Sequence, residues 1–282
     1  MTPNSHPAPN AATDVVNSET KAGNEGAVLA LDVGNTHVVL GCIEGDEVRS
    51  IARMATTPHR TAHEYAVLIR EMLAMAGWAG GDFEGAILSS VVPTVTESVG
   101  EAVRLLTGKK PMIVGAGLKT GLNILIDNPA QLGSDLVVGA VAALAAYEPP
   151  LLIFDMGTAT TVSAIDAKRR FLGGALVPGV ELSLSALVSG TSQLPKVPIE
   201  APDTCIGSNT IDCMKSGAVF GAAAMVDGLI DRMEAELGSQ ATVVATGGLA
   251  PRIVPHCRRE IVRDDDLLLR GLAILYHKNR RA

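Results

Sequence analysis

Apolar positions follow two rhythms along the chain, short runs of period two and longer stretches of period 3.6, and these set the predicted elements. Val28–Asp32 and Leu151–Asp155 are apolar runs that end in an aspartate, pass a glycine turn and enter a second alternating run, so each predicts a tight hairpin. The two stretches, residues 28–48 and 151–166, align 123 positions apart (155 − 32), with Asp32, Gly34, Asn35 and Thr36 matching Asp155, Gly157, Thr158 and Ala159. After the first hairpin, Thr61-Ala-His-Glu64 is a capping box opening a helix with Tyr65, Leu68, Ile69, Met72 and Leu73 on one face, ended by Gly77. A strand over Gly85–Val92 stops at Pro93, and Thr94-Val-Thr-Glu97 reads as a second capping box for a helix to about Leu106. Short strands at Met112–Val114 and Leu122–Ile126 precede an apolar helix, Leu136–Tyr147, which Ser134 or Asp135 can cap.

The second half predicts a strand over Phe171–Ala175, helices over Glu181–Val188 and Ile211–Leu237, and a strand over Ala241–Ala245. The glycine turn Thr246-Gly247-Gly248 then leads to a helix start at Leu249–Val254. Asp266-Leu267 opens a last apolar helix that matches Asp135-Leu136 at 131 positions (266 − 135), which makes Asp266 the plain capping counterpart of Asp135. Asp264-Asp265-Asp266 together read as a helix cap rather than a metal site. Strands alternating with helices imply an α/β layered fold. The chain divides into two copies of one unit, 27–147 and 148–282, behind a polar segment 1–26 that reads as a disordered extension with neither the basic start nor the apolar core of a signal peptide.

Composition narrows the function. A net charge of −7 and an aromatic fraction of 3% argue against nucleic acid as the main partner, because a polyanion needs basic surface and stacking platforms. The four cysteines Cys42, Cys205, Cys213 and Cys257 show no paired or metal-ligand spacing and read as reduced thiols of a cytoplasmic protein. The longest apolar run, Leu136–Tyr147, is short of the ~18 residues that a membrane span needs. His59 and His63 lack a third ligand, and His256 and His277 read as surface residues.

The chemistry rests on the repeated turn. Glycine lets backbone approach a bulky anion, turn N–H groups and a Thr hydroxyl bond phosphate oxygens, and aspartate supplies a hard oxygen for a cation or its bound water. Two such turns facing each other make a cleft for a phosphate chain. The Gly247-Gly248 turn brings backbone flat against a ligand in the same way.

In order along the chain stand D-V-G-N-T (32–36), R-T-x-x-E (60–64), S-V-V-P (90–93), N-P-x-x-x-G-x-D (128–135), D-M-G-T-A-T-T (155–161), G-G-x-x-x-P-G (173–179), L-P (194–195), I-G-x-N-T (206–210) and T-G-G (246–248). On these motifs the chain resembles the type III pantothenate kinases, within the actin, hexokinase and Hsp70 ATPase superfamily. The resemblance implies two similar actin-like, ribonuclease H-like domains with a nucleotide cleft between them. It implies ATP held by Asp32, Val33, Gly34, Asn35, Thr36, His37, Val38 and Val39 and by Thr158 from the facing hairpin. It further implies Asp135 as general base, Gly133, Ser134, Asp135, Leu136 and Thr210 around pantothenate, and Asp155 at a potassium or ammonium site beside magnesium-ATP. A homodimer, with Thr210 reaching the substrate from either subunit, is implied as well. Two positions depart from the family pattern: Leu136 stands where Arg is usual, and Ile126 where Tyr is usual. Another small hydroxylated acceptor, or a non-catalytic nucleotide-binding regulator, are the alternative readings.

Overall fold

The structure, a computed structural model, describes residues 26–280. The extension expected over 1–26 therefore lies outside the described residues except for Gly26.

Each half builds one sheet around its hairpin. In the first, β1 (Ala27–Val33) pairs antiparallel with β2 (His37–Glu44), which pairs with β3 (Glu47–Ala55). On its other side β1 runs parallel to β4 (Phe83–Ser90), and β5 (Met112–Ile113) follows, giving the order β3-β2-β1-β4-β5. The second sheet repeats this with β7 (Leu151–Met156), β8 (Ala159–Ile165), β9 (Arg170–Pro178), β10 (Thr242–Thr246) and β11 (Val262–Arg263). Its order is β11-β10-β7-β8-β9-β6, with β6 (Asn123–Ile124) added at the edge from the first half. The internal repeat is thus a repeat of topology. The strand β11 was not legible because it is two exposed residues with no alternation to detect.

Both aspartate-terminated strands are central, so their apolar runs are buried: β1 reads buried at every position but Asp32, and β7 at every position but Asp155. Helices α1 (Ala62–Met75) and α2 (Pro93–Thr107) cover one face of the first sheet. The capping box of Thr61 and Glu64 is present in full. The second capping box is not: Pro93 is the first residue of α2, and Thr94 makes no cap bond. Proline is suited to that place because its missing N–H has no helical partner there. In the second half α4 (Val180–Ser189), α5 (Thr210–Leu237) and the short α6 (Ala250–Ile253) pack on the outer face. At 28 residues α5 is long and apolar enough for a membrane span by length and composition, contrary to the sequence reading; its buried residues Val219, Val226 and Ile230 join the core over β7, β8 and β10.

The remaining helices hold the halves together. Helix α3 (Ser134–Ala146) packs Ala140 and Ala143 against Leu151, Ile153 and Val244 of the second sheet. Helix α7 (Leu267–Asn279) packs Leu269, Leu272 and Leu275 against Val28, Ala30 and Ile87 of the first. Helix α3 also packs Val138 and Val141 against the first sheet, so it lies between the two sheets, with α7 beside it on the first. The two helices cross at Gly271, where a Cβ would fall 2.4 Å from the Val138 carbonyl oxygen. Around this crossing the aspartate run takes a different role from the expected cap. Asp264 is buried and accepts hydrogen bonds from the Tyr147 hydroxyl (2.7 Å) and from Arg270, while Asp266 occupies the N-cap position without a side-chain cap bond. His277 is likewise not a surface residue: both ring nitrogens are buried and have no hydrogen-bond partner among the described residues.

Candidate functional site

The two hairpin turns share their glycine but not their length: the first spans 34–37 between the paired Val33 and Val38, and the second spans 157–159 between the paired Met156 and Thr160. Gly34 N–H donates to the His37 carbonyl at 2.9 Å, and Gly157 N–H to the Ala159 carbonyl at 3.0 Å. Each bond closes a turn that leaves the neighbouring hydroxyl and amide groups facing out. The turns meet at their tips, where Thr36 Oγ1 and Thr158 Oγ1 lie 2.6 Å apart. Asn35, Thr36, His37 and Thr158 are exposed, whereas the side chains of Val33 and Val38 are buried and only their backbone can serve a ligand.

Three neighbours brace these turns. Thr56 Oγ1 donates to the Gly34 carbonyl at 2.7 Å and Thr56 N–H to the Thr36 carbonyl at 2.9 Å, so the end of β3 fixes the first turn. Gly179 N–H donates to the Thr158 carbonyl at 3.0 Å, and a Cβ at Gly179 would strike the Gly157 and Thr158 carbonyl oxygens at 2.3 and 2.4 Å. Gly247 adopts φ +92°, and a Cβ there would fall 2.5 Å from Asp155 Oδ1 and 2.6 Å from the Met156 nitrogen. The glycine turn of 246–248 is therefore pressed against the strand end that presents Asp155. Sequence reasoning missed Thr56, because a lone threonine after a strand carries no signal of its own.

Helix α3 enters from the side. Its N-cap is Gly133, and Ser134 does not cap it: the Ser134 hydroxyl is engaged with Ser89 Oγ (2.9 Å), the Ser90 N–H (3.2 Å) and the Ser90 carbonyl (3.1 Å) at the end of β4. Asp135 lies one residue into the helix and its Oδ1 accepts the Leu136 N–H at 2.9 Å. A Cβ at Gly133 would sit 2.4 Å from that same Oδ1, so the carboxylate can fold back only over a glycine.

Asp32, Asp135 and Asp155 thereby converge from β1, α3 and β7. Burial raises the Asp32 carboxyl from 3.8 to about 7, the charges of Asp155 and Asp135 add to the rise, and a hydrogen bond from Ser89 opposes it. Burial and the Asp135 charge raise Asp155 to about 6. Burial also raises Asp135, against the pull of backbone N–H groups. Such groups gather where a cation or a proton is to be handled. No cluster of three or more His, Cys, Asp or Glu side chains among the described residues could hold a metal ion. The oxygen donors present suit a hard cation held through one or two carboxylates together with phosphates and water, the usual arrangement for magnesium.

Thr210 stands apart from the aspartates. It begins α5 and lines a cavity of about 840 Å³ with Pro178, Leu184, Leu187, Cys213 and Met214. Through Pro178 this cavity borders Gly179 and hence the second turn.

This chain's residues 28–232 match the family model for type III pantothenate kinase. The chain belongs to the type III pantothenate kinase family. It is 42% identical over 254 residues to a type III pantothenate kinase of Exiguobacterium sp., covering 90% of this chain and all of that protein. A type III pantothenate kinase of Moorella thermoacetica is 40% identical over 252 residues, 89% of this chain and 99% of its own length. Among solved structures, component A of (R)-2-hydroxyglutaryl-CoA dehydratase from Acidaminococcus fermentans aligns with a TM-score of 0.55 at 17% identity, over 89% of this chain and 97% of that one. Ethanolamine utilization protein EutJ from Carboxydothermus hydrogenoformans aligns with a TM-score of 0.54 at 14% identity, over 93% of each chain. These two show the shared two-sheet fold, and the family membership rests on the pantothenate kinases.

Proposed function

We propose that this protein transfers the γ-phosphoryl group of ATP to the primary hydroxyl of pantothenate, giving 4'-phosphopantothenate and ADP at the entry to coenzyme A synthesis. The observation that carries the reading is the convergence of three carboxylates beneath two touching glycine hairpins, in a chain of this family. Phosphoryl transfer requires positioning and charge neutralisation more than covalent chemistry, and this site offers both.

In this reading the backbone of 32–39 and the Thr158 hydroxyl hold the phosphate chain. The substrate oxygen attacks the γ-phosphorus, the bond to the β-phosphate oxygen breaks, and the hydroxyl proton passes to Asp135. Its raised pKa suits that role, since a base works best with an affinity for protons near the working pH. Asp155 and Asp32 would hold magnesium and a monovalent cation, potassium or ammonium, through oxygen ligands and water, and these ions supply the positive charge that a site with no basic cluster lacks. Gly133, Ser134, Leu136 and Thr210 border the acceptor. The apolar cavity at Thr210 and the exposed Leu182, Leu187 and Ile211 fit a second copy of the chain, hence a homodimer. The four cysteines are free thiols, which favours the cytoplasm.

The test is coupled ADP release with ATP, magnesium and pantothenate, in potassium and then in sodium buffer. Pantothenate-dependent turnover that rises with potassium is the expected result. Asp135→Asn should lower kcat by about 10²- to 10⁴-fold while ATP still binds. ATP binding with no pantothenate-dependent turnover in the wild-type protein would overturn the acceptor, and full activity of Asp135→Asn would overturn the base.

A further inference from the structure

Arg53 is a cation with no assigned duty. Its register partner on β2 is Val39, whose partner on β1 at the next strand is Asp32. Residues paired across neighbouring strands share a face. Val28 and Ala30, which alternate in step with Asp32, lie in the core beneath α3 and α7, whereas Ala52 and Met54 belong to the core on the opposite side. Arg53 therefore projects from the same face as Asp32, toward the second half of the molecule, about 10 Å across two strand spacings.

On the far side it meets the glycine turn. Arg53 Nη1 lies 3.9 Å from the position a Cβ would take at Gly248, which is exposed. Gly247, next in the chain, abuts Asp155. The guanidinium thus spans from β3 to the turn beside the aspartate cluster, at the end of the sheet that carries the first phosphate hairpin. No hydrogen bond or ion pair of Arg53 exists among the described residues, although most other arginines here are paired. A guanidinium is always charged and presents a planar fork of donors matched to phosphate oxygens.

We propose that Arg53 is a nucleotide-binding residue whose guanidinium contacts the phosphate chain of ATP from the β3 side of the cleft. The inference rests on the site being an ATP site, and names a contact that the hairpin motifs do not include. Arg53 braces the same ligand that the two turns cradle, but from a strand whose alternating pattern marks it only as an exposed position.

Arg53→Ala and Arg53→Lys in the full chain test it, by steady-state kinetics with ATP and pantothenate varied separately and by the ATP-induced rise in melting temperature without pantothenate. Arg53→Ala is expected to raise KM for ATP about 10- to 100-fold, the loss of one charge-assisted contact, and to shrink the ATP-induced melting shift. KM for pantothenate and the urea midpoint of the ligand-free protein should stay the same, and Arg53→Lys should fall between, keeping charge but losing the fork. An unchanged KM for ATP with an unchanged melting shift overturns the proposal. So does a lowered urea midpoint with both KM values raised equally, which is the result of a purely structural bridge to Gly248. Wild-type protein that binds ATP without pantothenate turnover would overturn the acceptor alone, and the melting-shift comparison would still decide Arg53.

Discussion

Replacing Asp32 by Asn should stabilise the ligand-free protein at pH 8, about half as much at pH 4.5, and leave it nearly unchanged at pH 3. Asn keeps the shape and an acceptor for Ser89 but removes one of the clustered charges. The carboxyl of Asp32 rises from 3.8 to about 7, first through burial and then through the charges of Asp155 and Asp135. A rise of that size corresponds to about 4 kcal/mol of differential interaction. Asp32 retains some solvent access, and screening reduces the figure to roughly 2 kcal/mol. The sign follows from proton counts. Between pH 3.8 and 7 the folded state holds more protons at this position than the unfolded chain, so stability falls as pH rises through that window and levels off above it. Below about pH 3 both states are protonated, and the substitution has little to relieve.

Urea unfolding of wild type and Asp32→Asn at pH 3, 4.5, 6 and 8, with chelator and without nucleotide, gives the comparison. The variant-minus-wild-type difference should grow from near zero at pH 3 through about 1 kcal/mol at pH 4.5 to roughly 2 kcal/mol at pH 8. The same substitution should abolish most of the stabilisation that magnesium-ATP gives the wild type, since the strain of gathered carboxylates is what a bound cation relieves. A difference that is constant with pH would refute the reasoning, because it would mean that Asp32 is not held among competing charges. Destabilisation at pH 8 would refute it as well, by showing that the ionised carboxylate is satisfied within the protein alone.

Gly271→Ala should destabilise by about 1–3 kcal/mol in urea unfolding, because the overpacking at the Val138 carbonyl outweighs the ~1 kcal/mol helix gain of alanine over glycine. Gly133→Ala should lower kcat at least tenfold while leaving ATP-induced stabilisation intact, since the added Cβ displaces the Asp135 carboxylate, the proposed base, rather than the hairpin turns; kinetics and melting shifts measured on one preparation separate the two. Leu136→Arg should lower KM for pantothenate several-fold without altering KM for ATP, through a restored carboxylate fork, and an unchanged pantothenate KM would show that the half-buried Leu136 does not face the acceptor's carboxylate.

Much of this fold was written in local chemistry. A strand ending in D-x-G must turn, so the two hairpins and their equivalence were legible, as was α1 behind its complete capping box. Where two local signals competed, the reading went astray: at 93–97 the T-x-x-E pattern suggested a cap, but Pro93 sets the helix start and Thr96 spends its hydroxyl on Ser90 and on the Val92 carbonyl. Long-range pairing was out of reach for a different reason. An apolar stripe tells that a helix has a buried face and not which sheet receives it, so nothing in the sequence announced that α3 lies between both sheets or that α7, from the second half, covers the first. The burial of Asp264 depends on Tyr147, 117 residues away, and no spacing rule connects the two.

The same limit applies to Asp135, and there it bears on mechanism. From the sequence, a carboxylate near a helix start reads first as a cap, and only the family resemblance makes Asp135 a base. In the structure Ser134 is occupied by the end of β4, Gly133 clears the space into which Asp135 folds, and the carboxylate lies close enough to raise both Asp32 and Asp155. Its counterpart in the repeat, Asp266, sits at an N-cap and faces no such cluster. Two positions that look equivalent along the chain are made unequal by where their helices pack: α3 lies between the two sheets and brings Asp135 to their junction, whereas α7 lies on the first sheet. On the proposed reading of Asp135 as the base between the two hairpin turns, its alignment depends on the α3–α7 crossing, and Gly271 should affect turnover as well as stability even though it lies outside the site.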